Sequence, residues 1–317
     1  MGPGRSRTAL RLAAGRRSAD RGIGRRPPSG GGPSARDRFR EVDRYRAERE
    51  WQRYEGTAQR DLYRELRERF LERHSGPARW AADLGSGPGR FTGRLGGPGT
   101  RRVAVDLSLE MLALLEARER RPEVRATLDR VRADAARSPF APGSFEAVAL
   151  LGNALGFAGV ESERLWSAAL SLVHPGGTLT LEIAPGPGER SRYLVRLPPT
   201  SVARLLRAPL VAVRPRVERE GFAPEPERRA GPREFRRFSP DEVTRRLVSA
   251  GWEVREVTAV APALGTDAAR LEAVRPDAKA WAHLLELEEQ LGRTPARWAR
   301  AAAVLIAARR PLSNGQD

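Results

Sequence analysis

The sequence predicts an α/β fold in which a mostly parallel sheet carries helices on both faces. Two observations point there. Between residues 78 and 184, short apolar runs of strand length alternate with stretches whose apolar residues recur every three or four positions. Repeated strand-helix units of this kind build parallel sheets that are covered on both sides. A glycine-dense loop, Gly85-Ser86-Gly87-Pro88-Gly89, then follows the first of those strands. It lies at the strand's carboxyl end, the edge at which such sheets bind ligands.

The elements can be justified in order. Residues 1–38 are rich in Arg, Gly and Pro and hold too few apolar residues for a core, so they read as a disordered tail. An Arg-rich start resembles a targeting segment, but the apolar stretch that export needs is missing. From 39 to 76 the spacing of Tyr45, Trp51, Tyr54, Leu62, Leu66, Phe70 and Leu71 predicts an extension of one or two amphipathic helices, broken at Gly56-Thr57 and ended by Gly76-Pro77. The main domain, 77–317, opens with a strand at 78–84, and GRFTGRL begins a helix. Strand 101–107 leads to a helix at 108–120 with Ser108 as its cap. VRADA, 131–135, is the expected third strand and 144–152 the fourth. A helix at 162–173 and the turn HPGG lead into a fifth strand at 178–184. Residues 185–238 form a long insertion, and a helix is expected at 278–292.

Composition removes several classes of function. The chain has no cysteine, which excludes disulfides, thiolate metal ligands and a cysteine nucleophile. His74, His174 and His283 are its only histidines and lack ligand-like spacing, so no metal is expected. No apolar run approaches the roughly 20 residues of a membrane span. A cytoplasmic protein without membrane association is therefore expected. Net charge is +17 among 317 residues, with Lys279 the single lysine. The insertion holds 13 arginines against 6 glutamates. Arginine-phosphate contacts keep an anionic acceptor or nucleic acid open as a partner, although the few aromatics there form no evident RNA-binding module.

Chemistry concentrates at the strand ends. A bare glycine loop lets backbone N–H groups approach a ligand without a Cβ in the way. Its Gly85-x-Gly87-x-Gly89 spacing departs from the dinucleotide form at the third glycine and lacks the Lys-Ser/Thr of a phosphate loop. Asp106, ending the second strand, can accept hydrogen bonds from two ribose hydroxyls, and Asp134 can accept from an adenine amino group. Together with Asp83 they outline a nucleoside pocket, in which Arg90 is the only candidate for a phosphate-holding cation.

These residues resemble the class I S-adenosylmethionine-dependent methyltransferase family. ADLGSGPGRF is similar to its first motif, VAVDLSLEML to its second, RADAARSPFAPGSFEAVALLGNALGF to its third and fourth, and HPGGTLTLEI to its fifth strand. FSPDEVTRRLVSAGWEVREV and ARWARAAAVLIAARRP resemble its last helix and closing antiparallel pair. The resemblance implies a Rossmann-like, mostly parallel seven-stranded sheet with an antiparallel last strand, and S-adenosyl-L-methionine as cofactor. Carried over by position, Gly85, Ser86, Gly87 and Gly89 lie under the methionine part, with Asp83 anchoring the loop. Asp106 holds the ribose, Leu107 and Met111 flank the adenine, Asp134 and Ala135 meet its edge, and Leu151 to Asn153 line the methyl-donor side. The alternatives are that Asp83 merely caps a turn and Asp134 is a solvated loop acid, while Met111 is equally readable as ordinary helix core. Phe140 reads as a core plug.

The sulfonium already activates its methyl group, so alignment of the acceptor can suffice without a general base, and no catalytic residue is assigned. LGNALGF stands where amino-methylating relatives carry an Asn or Asp, two prolines and an aromatic. A small-molecule acceptor is expected. The alternatives are an RNA or protein methyltransferase that uses the basic insertion, and a non-catalytic cofactor-binding partner protein.

Overall fold

The computed structural model describes residues 47–53, 55–185, 222–224, 234–264, 267–298 and 301–312. The 1–38 tail and most of the 185–238 insertion lie outside them. Helix α1 (Ala47–Gln52) and helix α2 (Ala58–His74) precede the sheet. They are separated where expected: Gly56 has φ +88°, and Thr57 caps α2, its Oγ1 accepting from Arg60 N at 3.3 Å.

Strands β1 (Trp80–Leu84), β2 (Arg101–Asp106), β3 (Leu128–Arg132), β4 (Phe145–Leu150), β5 (Val173–Ile183), β8 (Glu253–Ala259) and β9 (Val304–Arg309) form one sheet in the order β3-β2-β1-β4-β5-β9-β8. Strands β1 to β5 pair in parallel, and β9 runs antiparallel between β5 and β8. β6 (Phe222–Pro224) and β7 (Glu234–Arg236) make a separate antiparallel ribbon within the insertion.

Alternation along the strands assigns each side chain to a face. Ala82, Leu84, Val103, Val105, Val148 and Leu150 join one core layer under helices α6 (Ser162–Leu172) and α7 (Pro240–Ser249). Phe140 plugs that layer edge-on to Phe145, with 5.2 Å between ring centroids. On the opposite face Ala81, Ala147 and Ala149 cluster with Leu71 and Phe91. Farther along that face, α2, α8 (Ala268–Val274) and α9 (Ala278–Gly292) pack against β9. Ala104 there meets Leu112 and Leu115 of α3 (Leu109–Arg118). Among the described residues the remaining α-helices, α4 (Pro122–Arg125), α5 (Ala154–Phe157) and α10 (Pro295–Trp298), are single turns.

Three expectations need correction. The third strand spans Leu128–Arg132 rather than 131–135, pairing Arg102 with Leu128 through Asp106 with Arg132. It is an edge strand with exposed Asp129 and Arg130, so it carries little of the apolar signal that marks buried strands. GRFTGRL yields only the 3-10 turn Thr92–Arg94, because Gly93, Gly96, Gly97 and Pro98 deprive that segment of helix formers. HPGG belongs to β5 itself. Gly177 fits there because a Cβ would come within 2.6 Å of Glu146 O across the sheet.

Candidate active site

The glycine loop is held from below by β2. Gly85 N and Ser86 N both donate to Val105 O, at 2.8 and 3.0 Å, and Gly89 N donates to Ser86 O at 3.0 Å. Gly85, Gly87 and Gly89 take φ of +73°, +53° and +73°, the left-handed region in which glycine avoids Cβ strain. The steric need differs among them. A Cβ on Gly89 would lie 1.9 Å from Leu115 Cδ1 of α3, and one on Gly85 would lie 3.0 Å from Ala154 Cβ. A Cβ on Gly87 would meet nothing within 4 Å, so this glycine keeps open space clear above the loop.

Each acid has a defined place. Asp106 is half-buried; its Oδ2 accepts from Gly87 N and its Oδ1 from Ser108 N, both at 2.8 Å. Burial pushes its carboxyl above the ordinary range, against the pull of those hydrogen bonds. Asp83 is 3% exposed and accepts from Thr92 Oγ1 at 2.6 Å, fastening the far end of the loop to β1. Burial pushes it up to about 6, opposed by the Thr92 hydrogen bond and reinforced by the Asp106 charge. Asp134 follows β3 and caps the 3-10 turn that begins at Ala135, accepting from Ala136 N at 3.0 Å and Arg137 Nη1 at 2.7 Å. Leu107 is half-buried, and Arg132 Nε donates to its carbonyl at 2.9 Å. Met111 is buried in the first turn of α3, its N–H donating to Ser108 Oγ.

The loop after β4 makes the opposite wall. Gly152 and Asn153 both take φ of +62°, and Asn153 Oδ1 accepts from Ala184 N at 3.1 Å. Leu151 is 6% exposed and joins the apolar layer with Leu71 and Phe91. The sheet thus brings the loops after β1, β2 and β4 together, with Ala154 against Gly85, while Asp134 and Ala135 sit beyond β3 at the outer end.

Two anchors were missed in the sequence. Glu182 of β5, 4% exposed, accepts from Arg67 Nε at 2.9 Å, from Arg67 Nη2 at 2.7 Å and from Gly152 N at 3.1 Å. Burial alone would raise its carboxyl; the Arg67 charge and hydrogen bonds, with the Gly152 N–H, override that and hold it below the usual range. An acid inside the apolar run LTLEI was the available signal, since a buried charge needs a partner. Arg90 stacks on the Trp51 ring of α1, its Cζ 3.8 Å from the centroid, and donates to Trp51 O at 2.7 Å. The one cation noted beside the glycine loop therefore secures the N-terminal segment.

This sheet order, with a glycine loop after β1 and an acid ending β2, is the Rossmann-like arrangement that the resemblance implied. Residues 81–177 match the family model described as a methyltransferase domain. Those residues form a methyltransferase domain; the protein is an enzyme, and its cofactor is S-adenosyl-L-methionine. No curated protein matches it significantly. Among solved structures it is similar to the candidate methyltransferase in complex with the Haloferax volcanii Trm112 methyltransferase activator, at 16% identity, 89% of this chain, 100% of that chain and a TM-score of 0.52. It is also similar to geranyl diphosphate C-methyltransferase from Streptomyces coelicolor A3(2), at 17% identity, coverage of 78% and 79%, and a TM-score of 0.45. The glycopeptide N-methyltransferase MtfA, complexed with S-adenosylhomocysteine, gives 20% identity, coverage of 78% and 90%, and a TM-score of 0.46. No helix among the described residues is long and apolar enough to cross a membrane.

Proposed function

We propose that this enzyme methylates a small-molecule acceptor in the cytoplasm. The observation that carries this is the root of the insertion. Phe238 N donates to Ala184 O at 3.4 Å, and Pro185 bridges Phe238 in parallel. The chain therefore departs and returns at one point of the carboxyl edge, beside the 151–153 wall. β7 rejoins there against α5: a Cβ on Gly156 would lie 2.6 Å from Arg236 O. We read this edge, where Pro185, Arg236 and Phe238 meet the loop after β4, as the acceptor side, which suits an acceptor of limited size. The division into a 1–38 tail, a 39–76 helical extension and a 77–317 catalytic domain with this cap is part of the proposal.

The residues present suit the cofactor. A carboxylate has about four acceptor lobes, and Asp106 uses two on Gly87 N and Ser108 N, which keeps capacity for ribose hydroxyls. Gly87 leaves clear space for the methionine part, with Gly85, Ser86 and Gly89 shaping the loop and Asp83 anchoring it. Leu107 and Met111 border the adenine, Asp134 and Ala135 its edge, and Leu151 to Asn153 the donor side. When bound, the sulfonium supplies an electrophilic methyl group. These residues orient it and exclude water, and the acceptor's own nucleophile completes the transfer. The test is transfer of radiolabelled methyl from S-adenosylmethionine into fractionated metabolites, RNA and protein. Label is expected among the small molecules; label confined to RNA or protein would overturn the acceptor class.

A further inference from the structure

We infer that Arg67 and Glu182 are positioning residues for the methyl-donor wall, acting through the backbone N–H of Gly152. The inference rests on the proposal that residues 151–153 border the cofactor.

Gly152 and Asn153 are two successive left-handed residues, a conformation open to glycine and tolerated by Asn better than by most other residues. Two cross-links, one to β5 and one to the residue just past it, hold it in place. Asn153 Oδ1 takes the N–H of Ala184, and Glu182 Oε2 takes the N–H of Gly152. Glu182 does so as a buried anion, and a buried anion without a counter-charge is strongly unfavourable. Arg67 supplies that charge from α2, through a two-bond contact with both residues 5% exposed at the side chain. Arg67 is itself oriented by donating from Nη1 to Tyr63 O at 2.8 Å, one turn earlier. The order of action runs from α2 to Arg67, to Glu182, to the Gly152 amide, and so to the wall. The N-terminal helix is thereby a structural part of the site, although none of its residues is in the glycine loop or the strand ends. A fold without α2 would leave Glu182 to protonate or turn away, and the acceptor for Gly152 N–H would be weakened or lost.

Two double variants separate positioning from bulk stability, since replacing both members of a buried pair with neutral groups avoids a stranded charge. Arg67→Met/Glu182→Gln keeps an oxygen that can accept from Gly152 N; Arg67→Met/Glu182→Leu does not. Calorimetry with S-adenosylhomocysteine is expected to give the Gln variant an affinity within about threefold of the unaltered protein and the Leu variant one at least about tenfold weaker. Equal affinities in the two variants would overturn the inference. Hydrogen exchange at the Gly152 amide of the unaltered protein provides a second measurement that needs neither variant nor ligand. Slow exchange is expected, and exchange at the rate of a free amide would overturn it. If the unaltered protein shows a slow Gly152 amide but no binding of S-adenosylhomocysteine, the placement of the cofactor is what fails, and the positioning role fails with it.

Discussion

Asp106 Oδ2 accepts the backbone N–H of Gly87 at 2.8 Å, so the acid at the end of β2 and the barest point of the glycine loop are one unit. On the proposed reading, the carboxylate that holds the ribose also fixes the loop that bounds the methionine part. Asp106→Ala should therefore weaken S-adenosylhomocysteine binding at least about tenfold, since a lost hydrogen bond to a charged acceptor is worth roughly 1.5–3 kcal/mol. Asp106→Asn, which keeps one oxygen, should lose less. Calorimetry decides, and unchanged affinity in the alanine variant would show that the cofactor lies elsewhere.

Gly87 and Gly89 should respond differently to the same change. Gly89→Ala drives a methyl group into Leu115, and overpacking added to a left-handed Cβ should cost about 3 kcal/mol of stability in urea unfolding. Leu115→Ala should then cost less in that background than it does alone. Gly87→Ala meets open space, so its cost should be near 1 kcal/mol, while binding of the cofactor product falls by an order of magnitude or more. Equal stability losses at both positions would contradict the geometry.

Asp83 gives a stability change with a definite sign. Its carboxyl titrates near 6 when folded, against about 3.9 unfolded. The folded state binds this proton more tightly, so the contribution is full below about pH 4 and is lost as pH rises towards 6, by up to about 3 kcal/mol. Asp83→Asn should abolish that loss and be the more stable protein at pH 7. Unfolding midpoints of the two proteins should diverge between pH 4 and 6; parallel curves would show that Asp83 is not destabilised by burial.

Glu256 should behave oppositely. Burial would raise it, but the hydrogen bond with His74, the Arg73 charge and Arg293 hold it at about 2. A depressed carboxyl contributes stability above its unfolded value and loses it as pH falls towards 2. Glu256→Gln should cost about 1–3 kcal/mol at pH 7, and the difference from the unaltered protein should shrink between pH 5 and 3. A pH-independent difference would assign the effect to packing.

Legibility from sequence followed burial. β1, β2, β4 and β9 are apolar because both their faces are covered, and the sequence marks all four; β3, at the edge with Asp129 and Arg130 exposed, was displaced by three residues. Ser108 as a helix cap and Gly56-Thr57 as a break were readable because caps and left-handed turns restrict residue type locally. Thr92 as the partner of Asp83 was not readable, since one hydroxyl nine residues away carries no distinguishing pattern.

The sequence by itself determined the alternation of strands and helices, the glycine loop, the order of the strand-end acids and the resemblance to class I methyltransferases, because each depends on local residue type and on periodicity along the chain. Only the tertiary structure decided what those acids hold: Asp106 fastens Gly87, Asp83 fastens Thr92, and Glu182 joins Gly152 to Arg67 across a separation of 115 residues. A hydrogen bond or buried ion pair between distant segments depends on where the chain brings two atoms together, and no spacing along the sequence specifies that distance.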